Sequence, residues 1–395
     1  MDNATAVPNA PAKAGVHSRQ NPFLAELVHH DRLTGPGSSK DTRHLVLNLE
    51  GSGVTYTPGD SLGTFGRNSP VVVSELLGLL GFDAAEVVKD PKGRPSTLRD
   101  TLLHDYTVNR ANRKILNALA QRIPQGEARN RLMELVDNDD LLSEYVHSRD
   151  YVDILREFRQ VRFESPEDFL SQLSPVVPRL YSIASSLAAH PGEVHLCVAV
   201  VRYDTHGRPK KGLASGFLAD DADMFVKDIP IYVQESRSFR LPKANSTDII
   251  MCGPGAGIAP FRAFLEQRIF EGATGRNWLF FGEQHRLSDF LYGPEFLEYY
   301  RQGKLHRLDL AFSRDQSHKV YVQHRMKEAA RDLWDWLQHG ACFYVCGDAR
   351  HMAKDMHQTL IEIAQSEGGL SPEAAAQYVN VQLMKTEKRY LRDVY

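Results

Sequence analysis

Cysteine is scarce in this chain. Four cysteines among 395 residues cannot staple a protein of this length, so a disulfide scaffold is excluded. Cys342 and Cys346 are not in CxxC spacing, and no His/Cys cluster has zinc spacing, so no metal is expected. No apolar run approaches the ~18–20 residues that cross a bilayer, and no membrane span is expected. Neither sign of charge dominates: 47 basic side chains face 50 acidic ones, for a net charge of -3. That balance argues against nucleic-acid binding through a broad basic face. The opening residues, MDNATAVPNAPAKAGVHSRQ, contain no apolar core and do not read as a secretory signal. A reduced, cytoplasmic protein is the expectation.

What is present is ordinary globular material, 42% hydrophobic and 25% charged. At about 150 residues per domain, the length suggests two or three domains. Residues 1–20 show no periodicity and read as a disordered tail. From residue 21 to about 70, short alternating runs such as HLVLNLEGSG (44–53) and TYTPGDSLGTF (55–65) are cut by Gly and Pro. They read as strands with turns, hence a small barrel or sandwich. Between about 70 and 175 the spacing becomes helical, as in RKILNALAQRI. Strand patterns return in RLYSIASS (179–186), EVHLCVAVVRYD (193–204) and IPIYVQES (229–236). A helical insertion therefore interrupts a β domain. Beyond about residue 245, the apolar strands DIIMC, WLFFGEQ, LHRLDLAFS and CFYVCG alternate with helical stretches. That alternation implies a parallel sheet with crossover helices.

Four local patterns carry chemistry. Gly253-Pro-Gly255-Ala-Gly257 lies between a strand and a helix, where backbone N–H groups can meet a pyrophosphate. Its spacing is GxGxG rather than GxGxxG, and a tight turn without a ligand reads the same way. Arg179-Leu180-Tyr181-Ser182 alternates on a strand. The cation suits a phosphate and the ring a flat aromatic ligand, although ordinary half-buried strands also alternate. Gly212-Leu213-Ala214-Ser215 follows a lysine pair and reads as a helix start with Ser215 as a candidate N-cap. Ser313-Arg314 and Lys319-Val-Tyr321-Val-Gln323 gather hydroxyl, cationic and aromatic groups suited to a phosphate monoester and a purine, or simply a charged loop.

Taken in order, RLYSIASS, KGLASGFLAD, MCGPGAGIAPFRAFLEQR, FFGEQHRLSDFLYGPEF, AFSRDQSHKVYVQ, FYVCGDARHMAKDM and KRYLRDVY resemble the FAD/NADPH reductase module of the diflavin reductases. That module belongs to the ferredoxin–NADP+ reductase superfamily. The resemblance extends upstream to NPFLAELVHHDRLTG and covers residues 21–395. It is greatest toward the flavoprotein components of assimilatory NADPH–sulfite reductases. It implies an FAD-binding antiparallel β-barrel (21–245) with a helical insertion at about 70–175. A parallel-sheet α/β domain for NADPH (246–395) should follow.

The resemblance also assigns residues. Arg179, Leu180, Tyr181 and Ser182 would hold FAD, with Cys197, Val198, Ala199 and Tyr203 on its adenosine side and Gly212, Leu213, Ala214 and Ser215 at its pyrophosphate. Thr107 would lie near FAD. Gly253, Gly255, Gly257, Ser313, Arg314, Lys319, Tyr321, Gln323 and Asp355 would bind NADPH, and Arg43 would reach its phosphates. Ser182, Cys346 and Asp393 would flank the hydride-transfer point, with Tyr395 covering the flavin and moving cheaply as the final residue. Many relatives carry Thr where this chain has Ala256, a loss of about 0.5–1.5 kcal/mol if that hydroxyl bonds the cofactor. The match begins close to residue 21, so no FMN domain is expected in this sequence. Electrons would pass to a separate acceptor: a sulfite reductase hemoprotein, a flavodoxin-like protein or an iron–sulfur protein. A general NADPH–hemoprotein, flavodoxin or ferredoxin reductase, and a non-catalytic flavin-binding assembly subunit, are the alternatives.

Overall fold

The computed structural model describes residues 17–395. The expected tail lies outside the described residues as far as residue 16, and Ser18 and Asn21 close a backbone turn at 2.9 and 3.0 Å. Three strands precede the helical insertion: β1 (Phe23–Arg32), β2 (Thr42–Asn48) and β3 (Ser61–Thr64). Three follow it: β4 (Arg179–Ser182), β5 (Glu193–Ala199) and β6 (Lys227–Gln234). They pair antiparallel in the order β4-β3-β6-β1-β2-β5. The two edges then meet. Ile183 bridges Leu196, and the Ala184 N–H donates to the His195 carbonyl at 2.8 Å. This closure removes the exposed edges and makes the sheet a barrel.

Period-two alternation fills the barrel: Leu45 and Leu47, Val194, Leu196 and Val198, Ile229 and Ile231 all point inward. Of residues 55–65, only Ser61–Thr64 is strand. Pro58 offers no N–H to a ladder, and Gly59 turns the chain at φ +98°. The Asp60 carboxylate secures that turn, accepting the N–H groups of Thr57 at 2.8 Å and Ser236 at 2.9 Å.

The insertion runs from helix Pro70–Leu80 to helix Pro166–Leu170 and encloses its own apolar core, including Leu76, Leu98, Leu116, Leu119, Tyr151 and Phe169. Side-chain caps start its helices. Asn112 accepts the Ile115 N–H at 3.1 Å, and Asp150 and Asp153 form a reciprocal capping box on helix Tyr151–Glu157.

The second sheet has five parallel strands: β7 (Ile249–Cys252), β8 (Asn277–Glu283), β9 (Arg307–Phe312), β10 (Cys342–Gly347) and β11 (Tyr390–Val394). Their order is β9-β8-β7-β10-β11. Every residue of β7, β8 and β10 is buried. Burial on both faces explains why these strands read as unbroken apolar runs. β11 is polar and was not read as a strand from the sequence. The order reverses at β7 and β10, which opens a crevice at their carboxyl ends, where open α/β sheets bind ligands. Among the described residues, no helix is long and apolar enough to cross a membrane.

Candidate functional site

The glycine loop sits at that crevice. It leaves β7, passes through the 3-10 turn Gly255–Ile258 and enters helix Ala259–Phe270. Gly255 adopts φ +59°, a left-handed conformation that favours glycine. A Cβ there would meet nothing nearer than Glu283 Oε1 at 3.3 Å, so its outer face is open. Gly257 differs. Its Cβ would lie 2.2 Å from the Cys346 carbonyl oxygen, so glycine allows the loop to pack on β10. Gly253 is buried and serves the same close packing, against the Gly257 carbonyl and Phe261.

Beside this loop, three groups from distant strands converge. β10 and β11 run parallel with Cys346 opposite Asp393. The Ser182 hydroxyl, at the end of β4 in the barrel, donates to Asp393 Oδ2 at 2.7 Å. The Cys346 thiol donates to the same oxygen at 3.8 Å. Burial, then the Asp393 charge, pushes that thiol well above its ordinary range. Both effects disfavour the thiolate form of Cys346.

The protein also carries two clefts. The first, about 510 Å³, is lined by Gly255, Ser313, Arg314, Lys319, Tyr321, Gln323 and Asp355, all singled out in the sequence. Arg314 and Lys319 are exposed and make no ion pair among the described residues. Gln323 Nε2 donates to Asp355 Oδ2 at 3.2 Å. Tyr321 is 41% exposed and stacks on His324 at 5.9 Å. The second cleft, about 450 Å³, is lined by Tyr203, Gly212 and Leu213 together with Arg67, Arg202, Lys210 and Lys211.

Comparison with known proteins gives this geometry a family. Residues 16–217 match the FAD binding domain model, and residues 233–358 match the oxidoreductase NAD-binding domain model. The chain belongs to the FAD binding domain family. It is 44% identical over its full length to the "Sulfite reductase [NADPH] flavoprotein alpha-component" of Bacillus subtilis (strain 168), covering 64% of that protein. It is 43% identical over 96% of its length to the protein of the same name from Vibrio cholerae serotype O1 (strain ATCC 39315 / El Tor Inaba N16961), covering 60% of it. The Mannheimia succiniciproducens protein of that name is 42% identical over 96% of this chain and 62% of its own length. The chain thus spans somewhat under two thirds of the curated relatives it matches. As a family member it is an oxidoreductase module whose two domains take FAD and a nicotinamide dinucleotide.

Within this family frame, several expected residues are placed differently. Arg43 does not reach the first cleft. Its Nε and Nη2 donate to Asp41 at 2.8 and 3.0 Å, and Nη1 lies 2.8 Å from His30 Nε2, which holds the guanidinium in the barrel. Lys40 lines the first cleft instead and pairs with the buried Glu283 at 2.6 Å. Ser215 is not an N-cap. It lies inside the short helix Leu213–Gly216, whose N-cap is Gly212, and its Oγ accepts the Val201 N–H at 3.2 Å. Cys197 and Val198 turn their side chains into apolar cores, where burial pushes the Cys197 thiol up to about 12. On that strand only Ala199 is exposed. Thr107 is half-buried in a short ladder with Ser174 and lines neither cleft. Tyr395 is not loosely held. Its N–H donates to the Gly347 carbonyl at 3.1 Å and its carbonyl accepts the Ala349 N–H at 3.0 Å. The residue as a whole is 58% exposed.

Sequence reasoning missed Lys40, Glu283, Gln284, Asp348, His351 and Met352 in the first cleft. One had a readable signal. Asp348 precedes a helix, and its carboxylate accepts the N–H groups of Arg350 and His351 at 3.0 Å each.

Proposed function

We propose that the chain is an NADPH-dependent flavoprotein reductase that passes electrons from NADPH through FAD to a separate acceptor. Its proposed setting is assimilatory sulfite reduction in the cytoplasm. The observation that carries this reading is the Ser182–Asp393–Cys346 group, assembled from both sheets beside the glycine loop. The names of the relatives support the sulfite assignment. We take 21–245 as the FAD domain and 246–395 as the NADPH domain, since β6 ends at Gln234 and β7 begins at Ile249.

The residues present fit both cofactors. Around Ser182, the exposed Arg179, the 46% exposed Leu180 and the exposed Tyr395 offer a cation and apolar faces for a flat ring and its phosphates. Tyr181 adds a half-buried ring on the same face as Arg179. Tyr203 and the Gly212–Ser215 turn extend the FAD surface toward the second cleft. For NADPH, the open side of Gly255 gives room for a pyrophosphate, and Arg314 and Lys319 are free to take the 2′-phosphate. Ser313, Tyr321, Gln323 and Asp355 line the place of its adenosine.

When bound, FAD takes a hydride from reduced nicotinamide and returns the electrons singly. The chain's own contribution is positional and electrostatic. Ser182 commits its hydrogen to Asp393, which fixes both side chains. The Asp393 carboxylate favours positive charge on a nicotinamide ring held beside it. The protonated Cys346 thiol fills the wall without competing as a nucleophile. The Tyr395 ring shields the site from water until nicotinamide displaces it.

An anaerobic titration of the purified flavoprotein with NADPH tests this. Bleaching of the yellow colour, followed by recovery on adding a sulfite reductase hemoprotein, is the expected result. Recovery only with flavodoxin or ferredoxin would move the chain to a general reductase. Bound flavin that NADPH leaves oxidised would make it an assembly subunit.

A further inference from the structure

A group of histidines lies at the seam between barrel and second domain, outside both clefts. His190 stands in the turn before β5, Glu193 opens β5, and His195 follows on the same face of the strand. One ligating atom from each lies within 4.8 Å of the others. His195 Nε2 is already 3.1 Å from a Glu193 carboxylate oxygen, and the two imidazole centroids are 4.3 Å apart. Ligand atoms around a tetrahedral zinc with bonds near 2.0–2.1 Å stand roughly 3.3 Å apart. Closing the site asks only for rotation of the two members that face solvent. His190 and Glu193 keep 31% and 44% of their side chains exposed, whereas His195 keeps 6%. The same opening gives an ion its entry path.

Two features favour a cation here. The first is charge. Glu193 stands at 3.1 Å from His195, and behind the two rings Glu266 and Glu295 share one guanidinium, that of Arg262, at 2.8 and 3.0 Å. With neutral imidazoles, three carboxylates against one guanidinium leave two negative charges, which a divalent ion balances. The second is support behind a ligand. Glu266 Oε1 lies 2.9 Å from His190 Nε2, and its other oxygen accepts the Ser186 N–H at 2.8 Å. A carboxylate on the far ring nitrogen is how metal-binding histidines are oriented and made more basic.

We propose that His190, Glu193 and His195 form a site for a divalent transition metal of the zinc class, with water completing the coordination. Imidazole and carboxylate donors suit that class. On capture, His195 Nε2 gives its Glu193 bond to the metal and its proton moves to Nδ1. Arg262 Nη1 then yields its 3.4 Å approach to Nδ1 and keeps its 2.7 Å bond to the Ala184 carbonyl. Because Glu266 belongs to helix Ala259–Phe270, which leaves the glycine loop, the metal fastens the barrel to the nucleotide-binding domain. H-x-x-E-x-H is not a zinc-finger spacing, so the pattern carries no warning on its own.

The test is calorimetric titration of the flavin-loaded, tag-free, chelator-treated chain with zinc, with metal content counted by mass spectrometry. One equivalent should bind and raise the melting temperature. Glu193→Gln should weaken binding about tenfold, and His190→Asn with Glu193→Gln should abolish it and the thermal shift. Both residues are partly exposed, and unchanged circular dichroism and flavin content show that the variants fold. All four cysteines are buried, so thiolates do not compete. Absence of saturable binding, or one-equivalent binding unaltered in the double variant, overturns the site.

Discussion

The two clefts are both rich in cations, yet they use them in opposite ways. In the second cleft every cationic side chain is committed. Arg202 bridges Asp220 at 2.7 Å and Asp41 at 3.0 Å, Arg67 holds Asp228 at 2.5 Å, Lys211 holds Asp221 at 2.7 Å and Lys210 pairs with Asp153. In the first cleft Lys40 is paired, but Arg314 and Lys319 have no carboxylate partner among the described residues. A neutralised cation organises the chain, whereas an unpaired one is available to a phosphate. Counting Lys and Arg around a pocket therefore says little about its ligand until their partners are known.

Breaking the committed side should have the largest effect. Lys210 keeps only 5% of its side chain exposed, and Asp153 pairs it with helix Tyr151–Glu157, whose capping box it also completes. Asp153→Asn leaves a buried ammonium underpaired and should cost about 3 kcal/mol in urea unfolding. A loss under about 1 kcal/mol would mean that these charges do not hold Lys210 and its segment to the insertion.

On the uncommitted side, Arg314→Ala with Lys319→Ala should spare stability and flavin content. It should raise the NADPH Michaelis constant about a hundredfold, the sum of two charge-assisted bonds, and change that for NADH little. Equal effects on both coenzymes would remove the 2′-phosphate assignment. Outside both clefts, Cys346→Ser keeps a donor toward Asp393 and should slow flavin reduction by about tenfold in stopped flow, an effect of order 1.4 kcal/mol. Complete loss with FAD retained would restore a covalent role for the thiol.

Acid should separate the clefts more gradually. Hydrogen bonds from Arg43 hold the Asp41 carboxyl below its usual range, and those from Arg202 do the same for Asp220. A carboxyl with a lowered folded value contributes stability that is full above its unfolded value of 3.8 and is lost as pH falls through the folded value. Asp150, which burial raises, opposes this trend. Hydrogen exchange below about pH 4 should therefore quicken around 202–221 before it does around 313–323. The reverse order would show that the second cleft does not depend on its ion pairs.

Much of the fold was readable because its signals are local. Alternation at 45 and 47 or 194 and 196, helical spacing between 70 and 175, and apolar runs at 249–252 and 342–347 each follow from which faces a segment must bury. The polar strand β11 escaped because only its neighbour β10 makes it a strand. Arg43 lies outside the first cleft for a related reason. Nothing in DTRHLV shows that His30, from the neighbouring strand, comes within 2.8 Å of its Nη1.

The sequence alone determined the alternating strands, the helical insertion, the parallel sheet and the glycine turn, since neighbouring side chains are enough to specify a period or a φ. Only the tertiary structure decided that Ser182 meets Asp393 across 211 positions, that Arg202 is spent on Asp41 across 161, and that His190 gathers the Glu266 carboxylate from the other domain across 76. Those outcomes depend on contacts between segments remote in the chain, and a charge or hydroxyl acquires its chemistry from whichever partner packing brings within about 3 Å.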